Sequence, residues 1–193
     1  MQAGFDIKAG VDLDNQPNYP FDFFQGDWLD GFNKFKNQVD VIHASPPCQA
    51  YSVCNNIFKN SKKPKLVSAV RKELIKWTEE KKNRFYIIEN VPGSDLLNPI
   101  KVFGSGLGLN IVRERWFESN AALWGYPKRK LKEKSYYVFV GKQPGNPWFK
   151  DKEGATLEDW KRESGMHWAK TAHEISEAVP PAYTKYLGEQ LLS

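Results

Sequence analysis

Eight consecutive residues, Ala44-Ser45-Pro46-Pro47-Cys48-Gln49-Ala50-Tyr51, combine a stiff turn with a nucleophile. The two prolines remove backbone freedom, and the thiolate of the cysteine that follows is a strong nucleophile near neutral pH. The apolar run before them, Val39-Asp40-Val41-Ile42-His43, reads as a buried strand stopped by the Pro-Pro break. Cys48 is therefore expected where a strand end meets a cleft. A nucleophile directed at a flat ring has to be held at one angle, and a rigid turn does that. The same pattern also suits a small, buried and chemically inert cysteine. Local features leave both readings open.

Two further groups join this thiol. Phe85-Tyr86-Ile87-Ile88 reads as a second buried strand, closed by Glu89-Asn90-Val91-Pro92-Gly93. Asp6 to Leu13 reads as an earlier strand ending in Asp12. In a parallel sheet ligands lie at the carboxyl ends of the strands, which is where Asp12, Cys48 and Glu89 fall. Alone, Glu89 reads equally well as a loop or capping carboxylate. Arg113-Glu114-Arg115 has an alternating pattern that would put both arginines on one face of a strand, with surface charge as the plainer reading.

The elements that must hold these groups alternate. Asn15 to Phe24, rich in proline and aromatics, is expected to be irregular, with a turn at Gln25-Gly26-Asp27 and a short helix over Gly31 to Asn37. From Pro64 to Lys82, Leu66, Val70, Leu74 and Trp77 recur on one helical face. Strand, long amphipathic crossover and strand imply an α/β chain with a parallel sheet. Tyr136 to Val140 reads as another strand. Thr156 with Asp159 and Thr171 with Glu174 have the spacing of capping boxes, and Tyr183 to Leu192 reads as a closing helix after Pro180-Pro181.

Composition narrows the function classes. The 193 residues suffice for one domain with a real core. Hydrophobic and charged contents of 40% and 26% are those of an ordinary globular protein. The net charge of +5 suits a polyanionic partner, though a modest excess is also common on a solvated surface. With 2 Cys and 3 His, neither a zinc cage nor a disulfide framework is expected, and a reducing, cytoplasmic setting follows. No signal peptide or membrane-length apolar run is apparent.

Ser45-Pro46-Pro47-Cys48-Gln49-Ala50-Tyr51-Ser52, Glu89-Asn90-Val91, Arg113-Glu114-Arg115 and Ala178-Val179-Pro180-Pro181 together resemble the DNA cytosine-5 methyltransferases, in that family's order and with similar spacing. The resemblance is strongest to short, phage-type members and spares only the segment from about 120 to 165. It implies a Rossmann-like fold that uses S-adenosylmethionine, with a small target-recognition insertion. The corresponding division is a catalytic core over 1–118, a recognition region over 119–165 and a returning helical segment over 166–193. By resemblance Cys48 is the nucleophile toward cytosine carbon 6, Glu89 the proton donor and Arg115 the group that holds the base oxygen. Pro47, Asn90 and Arg113 would shape the base pocket. Asp12, Leu13, Asp27 and Trp28 would hold the cofactor, and Gln49, Ser52, Lys128, Arg129, Lys130, Lys132 and Lys134 would touch double-stranded DNA. No metal or membrane is implied, and a monomer is expected.

Two departures stand out. The family's opening strand and Phe-x-Gly-x-Gly turn have no counterpart, and Gln2-Ala3-Gly4-Phe5-Asp6 resembles what normally follows them. A sheet lacking that central strand would carry two unpaired inner edges, and a fragment supplied in trans is one way to complete it. Ser176-Glu177 stands where the family commonly has glycine-asparagine. Two alternatives stay open. One is amino-directed methylation, because Ser45-Pro46-Pro47 also resembles the motif of enzymes that methylate the cytosine amine. The other is a non-catalytic DNA-binding remnant or partner subunit.

Overall fold

The computed structural model describes residues 3–48, 51, 65–130, 136–137 and 156–193. Gln49, Ser52, Cys54, Lys132 and Lys134 lie outside the described residues. Along the chain run β1 (Gly10–Asp12), β2 (Phe23–Gln25), α1 (Trp28–Phe35), β3 (Val41–Ala44), α2 (Val67–Glu80), β4 (Phe85–Asn90), β5 (Ile100–Phe103), β6 (Ile111–Val112), β7 (Glu114–Ser119), β8 (Tyr136–Tyr137), α3 (Leu157–Ser164), α4 (Ala172–Glu177) and α5 (Pro181–Leu191). They divide between two compact units. One comprises Asp6–Ile100 and Arg115–Leu123; the other comprises Met1–Phe5, Lys101–Glu114 and Trp124–Ser193.

In the first unit β3, α2 and β4 form the expected parallel strand–helix–strand, with Val41 opposite Phe85 and Ala44 opposite Ile88. β7 adds to the other side of β4 in the antiparallel sense, with Glu89 opposite Phe117 and Asn90 opposite Trp116. Val67, Val70, Leu74 and Trp77 of α2 are buried at three- and four-residue spacing and pack against Tyr86 and Ile88. Each such side chain removed from water contributes roughly 1.5–3 kcal/mol. The Trp77 indole donates to the Lys36 carbonyl at 2.7 Å, tying α2 to the end of α1. Asn83 accepts a positive φ of 68° in the turn between α2 and β4, a conformation asparagine tolerates.

β1 and β2 form a separate two-stranded parallel sheet, with Asp12 opposite Gln25. Among the described residues β2 is the one partner of β1, and β4 the one partner of β3. α1 lies tightly on β1: a Cβ on Gly31 would meet Val11 Cγ1 at 2.4 Å, so only glycine fits there.

Several boundaries differ from those read in the sequence. Phe23 and Phe24, expected in an irregular stretch, belong to β2, because parallel pairing with β1 overrides the proline-rich composition before them. α1 starts at Trp28 rather than Gly31, since Asp27 accepts from the Leu29 N–H at 2.8 Å and caps the helix there. The short strands β5 and β6 had no strong pattern in the sequence. Arg113 and Arg115 do not share a strand face: Arg113 lies between β6 and β7, where the ladder is interrupted.

In the second unit both capping boxes form. Thr156 and Asp159 bond reciprocally at the start of α3, and Thr171 and Glu174 do so at α4. Gly165 ends α3 at φ 71°, a left-handed cap that favours glycine. Trp160, Met166, Ile175 and Ile111 form this unit's core. No helix among the described residues is long and apolar enough to cross a membrane.

Candidate active site

The parallel register of β3 and β4 places their carboxyl ends side by side, so the turn carrying Cys48 and the strand end carrying Glu89 are neighbours. A direct bond joins them. The Asn90 side-chain amide donates to the Pro46 carbonyl at 2.9 Å, and the Val91 N–H donates to Asn90 Oδ1 at 2.9 Å. Asn90 and Pro46 are buried, Pro47 is exposed and Cys48 is half-buried. The Tyr51 N–H donates to the Cys48 carbonyl at 2.9 Å.

Glu89 stands directly across the ladder from Phe117, so its side chain shares a face with Arg115, two residues away on β7. Arg115 Nε meets Glu89 Oε1 at 2.7 Å, with side chains only 13% and 8% exposed. A nearly dry ion pair of this kind holds both groups in one geometry and resists loss of either partner. The opposite face of the same strands carries Ile88 and Trp116 toward α2. Sheet alternation thus puts Glu89 and Arg115 on one face, while Glu118 joins Ile88 and Trp116 on the other and pairs there with Arg71 of α2.

Arg113 has a different setting. Its two terminal nitrogens donate to the carbonyls of Ile175 and Ser176 at 2.8 and 2.7 Å, while its own carbonyl accepts from the Tyr183 hydroxyl at 2.7 Å. At 3% exposure it fastens the end of α4. Ser176, one of the two departures noted in the sequence, takes part through its backbone, so its side-chain identity is immaterial to this contact.

The remaining candidates cluster in two places. Parallel pairing of β1 and β2 brings the strand ends at Asp12 and Gln25 together, and Asp27 follows two residues after Gln25. Asp12 accepts from the Asp14 N–H at 2.9 Å and the Gln16 amide at 3.3 Å. Leu13 is 67% exposed, whereas Trp28 packs against the α2–β4 core. Lys128, Arg129 and Lys130 are exposed in the second unit. Sequence reasoning missed the Pro46 carbonyl as the anchor of the cysteine turn, because a main-chain acceptor leaves no signature in residue types. It also missed Arg71, which forks onto Glu118 of β7 at 2.6 and 2.7 Å and donates to the Asp95 carbonyl at 2.6 Å. Among the described residues no group of His, Cys, Asp and Glu could hold a metal ion.

Residues 15–99 match the family model described as C-5 cytosine-specific DNA methylase. A search of curated proteins gives no match. Among solved structures, one described as a DNA modification methyltransferase encoded within a prophage of E. coli is 25% identical, with a TM-score of 0.39, covering 61% of this chain and 40% of its own. A mutant of Spodoptera frugiperda DNMT2 is 20% identical, with a TM-score of 0.41, covering 74% of this chain and 50% of its own. The chain thus spans half or less of the length of both. The matched segment, which holds the Cys48 turn and Glu89-Asn90-Val91, is similar to the C-5 cytosine-specific DNA methylases.

Proposed function

We propose that this chain carries the catalytic centre of a DNA cytosine-5 methyltransferase acting on double-stranded DNA. The observation that carries the reading is the Asn90–Pro46 bond, which fastens the cysteine turn beside the buried Glu89–Arg115 pair. Cytosine carbon 5 is a weak nucleophile in the aromatic ring. Addition of the Cys48 thiolate to carbon 6 breaks the 5,6 double bond and moves its electron pair to carbon 5. Glu89 in its protonated form, donating that proton to ring nitrogen 3, offsets the charge this creates, a contribution of about 10²–10⁴ in rate. Arg115, held by Glu89, donates to the base oxygen and stabilises developing charge there. After methylation the carbon 5 proton leaves to a base and the thiolate is expelled, restoring the double bond. A base in a duplex must be rotated out of its stack to reach such a site.

The acidic groups at the ends of β1 and β2 fit S-adenosylmethionine by donor chemistry. Carboxylate oxygens of Asp12 would accept from ribose hydroxyls, and Asp27, with a second oxygen beyond the one that caps α1, would accept from the adenine amine. Leu13 offers apolar surface to the ring. When bound, this cofactor supplies the methyl group. Trp28, packed into the core, supports α1 in this reading.

Trapping tests the proposal. A duplex containing 5-fluorocytosine blocks the final proton loss, so with S-adenosylmethionine the protein should form an adduct that survives denaturing electrophoresis. Cys48→Ser should abolish it. Methylation of the exocyclic amine without an adduct would favour the amino-directed reading, and DNA binding with neither product would favour a non-catalytic role.

A further inference from the structure

The second unit contains a cleft of about 500 Å³ between the glycine turn at Gly106–Gly108 and α5. Its walls carry Tyr126, Arg129, Lys185, Tyr186 and Glu189. Tyr126 and Tyr186 stand edge to face, with ring centres 5.1 Å apart. The Arg129 guanidinium lies 5.4 Å from the Tyr126 ring centre and donates to the Tyr126 hydroxyl at 3.0 Å, which uses one of its five donors. Lys185 approaches Glu189 at 3.7 Å with both side chains about half exposed, a weak pair that leaves the ammonium available.

A second feature adjoins the cleft's lining residues in the chain. Trp124 is 74% exposed, although its backbone is fixed. Its N–H donates to Gln190 Oε1 at 2.7 Å, and its carbonyl accepts from the Tyr186 hydroxyl at 3.0 Å. A large aromatic held in water by an anchored backbone is a stacking surface without a partner. Lys128 and Lys130 flank Arg129 and are exposed, which extends the positive charge along the chain beyond the cleft.

We propose that this cleft and Trp124 hold a nucleotide of a nucleic-acid strand, with Arg129 and Lys185 on its phosphate and Trp124 against a base. The inference rests on DNA being the partner and adds a contact surface, including Lys185 of α5, apart from the residues assigned to the chemistry. The run of three cations favours a continuous polyanion over a free mononucleotide. Glu189 opposes the phosphate and lowers the affinity.

Binding of an unmodified 20-base-pair duplex, followed by fluorescence anisotropy between 50 and 200 mM salt, tests it. Arg129→Gln and Lys185→Gln should each weaken binding and reduce the slope of log affinity against log salt by about one. Trp124→Ala should weaken binding roughly tenfold, and Glu189→Gln should tighten it. An outcome in which the charge variants leave the slope unchanged and Glu189→Gln has no effect overturns the proposal. Competition by millimolar AMP against the duplex at this cleft, abolished by Lys185→Gln while the salt slope stays constant, would assign a mononucleotide site and also overturn it. A wild-type protein that gives no adduct while its salt slope still depends on Arg129 would sink the methyltransferase reading and leave this one standing.

Discussion

Asn90 and Pro46 stand 44 residues apart in the chain and 2.9 Å apart across the ends of two parallel strands. One side chain of β4 therefore sets the turn that β3 delivers. Asn90→Ala removes the donor and leaves the Pro46 carbonyl without it in a buried position, at a cost of about 1–3 kcal/mol. The expected result is a lower urea midpoint together with slower adduct formation, because the thiol loses its fixed approach. Asn90→Asp, which keeps the volume but loses the donor, should slow the adduct as much.

Glu89 and Arg115 hold one another, so their substitutions should separate chemistry from folding. Glu89→Gln keeps the shape and should lower the rate of adduct formation by about 10²–10⁴. Arg115→Ala leaves a carboxylate buried without its partner and should cost about 3–5 kcal/mol in stability. Chemical denaturation and trapping kinetics, measured on the same preparations, check both.

Arg113 should behave differently from Arg115 although only Glu114 stands between them. Its bonds run to the carbonyls of Ile175 and Ser176. Arg113→Ala should destabilise the protein by about 1–3 kcal/mol for each carbonyl left unsatisfied. Adduct formation at low temperature, with the protein folded, should stay near the wild-type rate. A large loss of rate in folded protein would contradict this division of roles.

Acid stability has a local component at α3. Asp159 accepts from the Thr156 N–H, from the Thr156 hydroxyl and from Arg162, and these bonds hold its carboxyl below the ordinary value of 3.8. The folded pKa is the lower one, so the contribution is complete above about pH 4 and fades as pH falls through the folded value. Asp159→Asn should flatten the acid limb of a plot of thermal midpoint against pH, read between pH 5 and 2.

How far the sequence reveals this molecule depends on the kind of interaction. α2 was legible because burial of Val70, Leu74 and Trp77 imposes a helical period on residue type. The capping boxes were legible because a hydroxyl and a carboxylate three residues apart satisfy each other locally. Cys48 and Glu89 could be placed at neighbouring strand ends, since the βαβ pattern fixes that adjacency. The different settings of Arg113 and Arg115 could not be read. Two arginines with one residue between them look alike until the ladder breaks between β6 and β7. β2 was hidden for a related reason, as pairing decides it and composition argues against it. The cleft beside α5 draws on residues from Gly106 to Glu189, a separation at which no local pattern survives.

The Arg71–Glu118 fork has a consequence for motion near the proposed reaction. Glu118 also accepts from the Leu97 N–H at 2.7 Å, and Arg71 also holds the Asp95 carbonyl. The segment leaving Asn90 is therefore knotted to α2 and β7 through the buried Arg71–Glu118 pair. Its opening cannot be a private fluctuation of the loop, because releasing Leu97 exposes a buried carboxylate. The Leu97 amide should exchange with solvent deuterium only as often as that whole assembly yields, and its protection reads the rigidity of the strand end on which Glu89 sits.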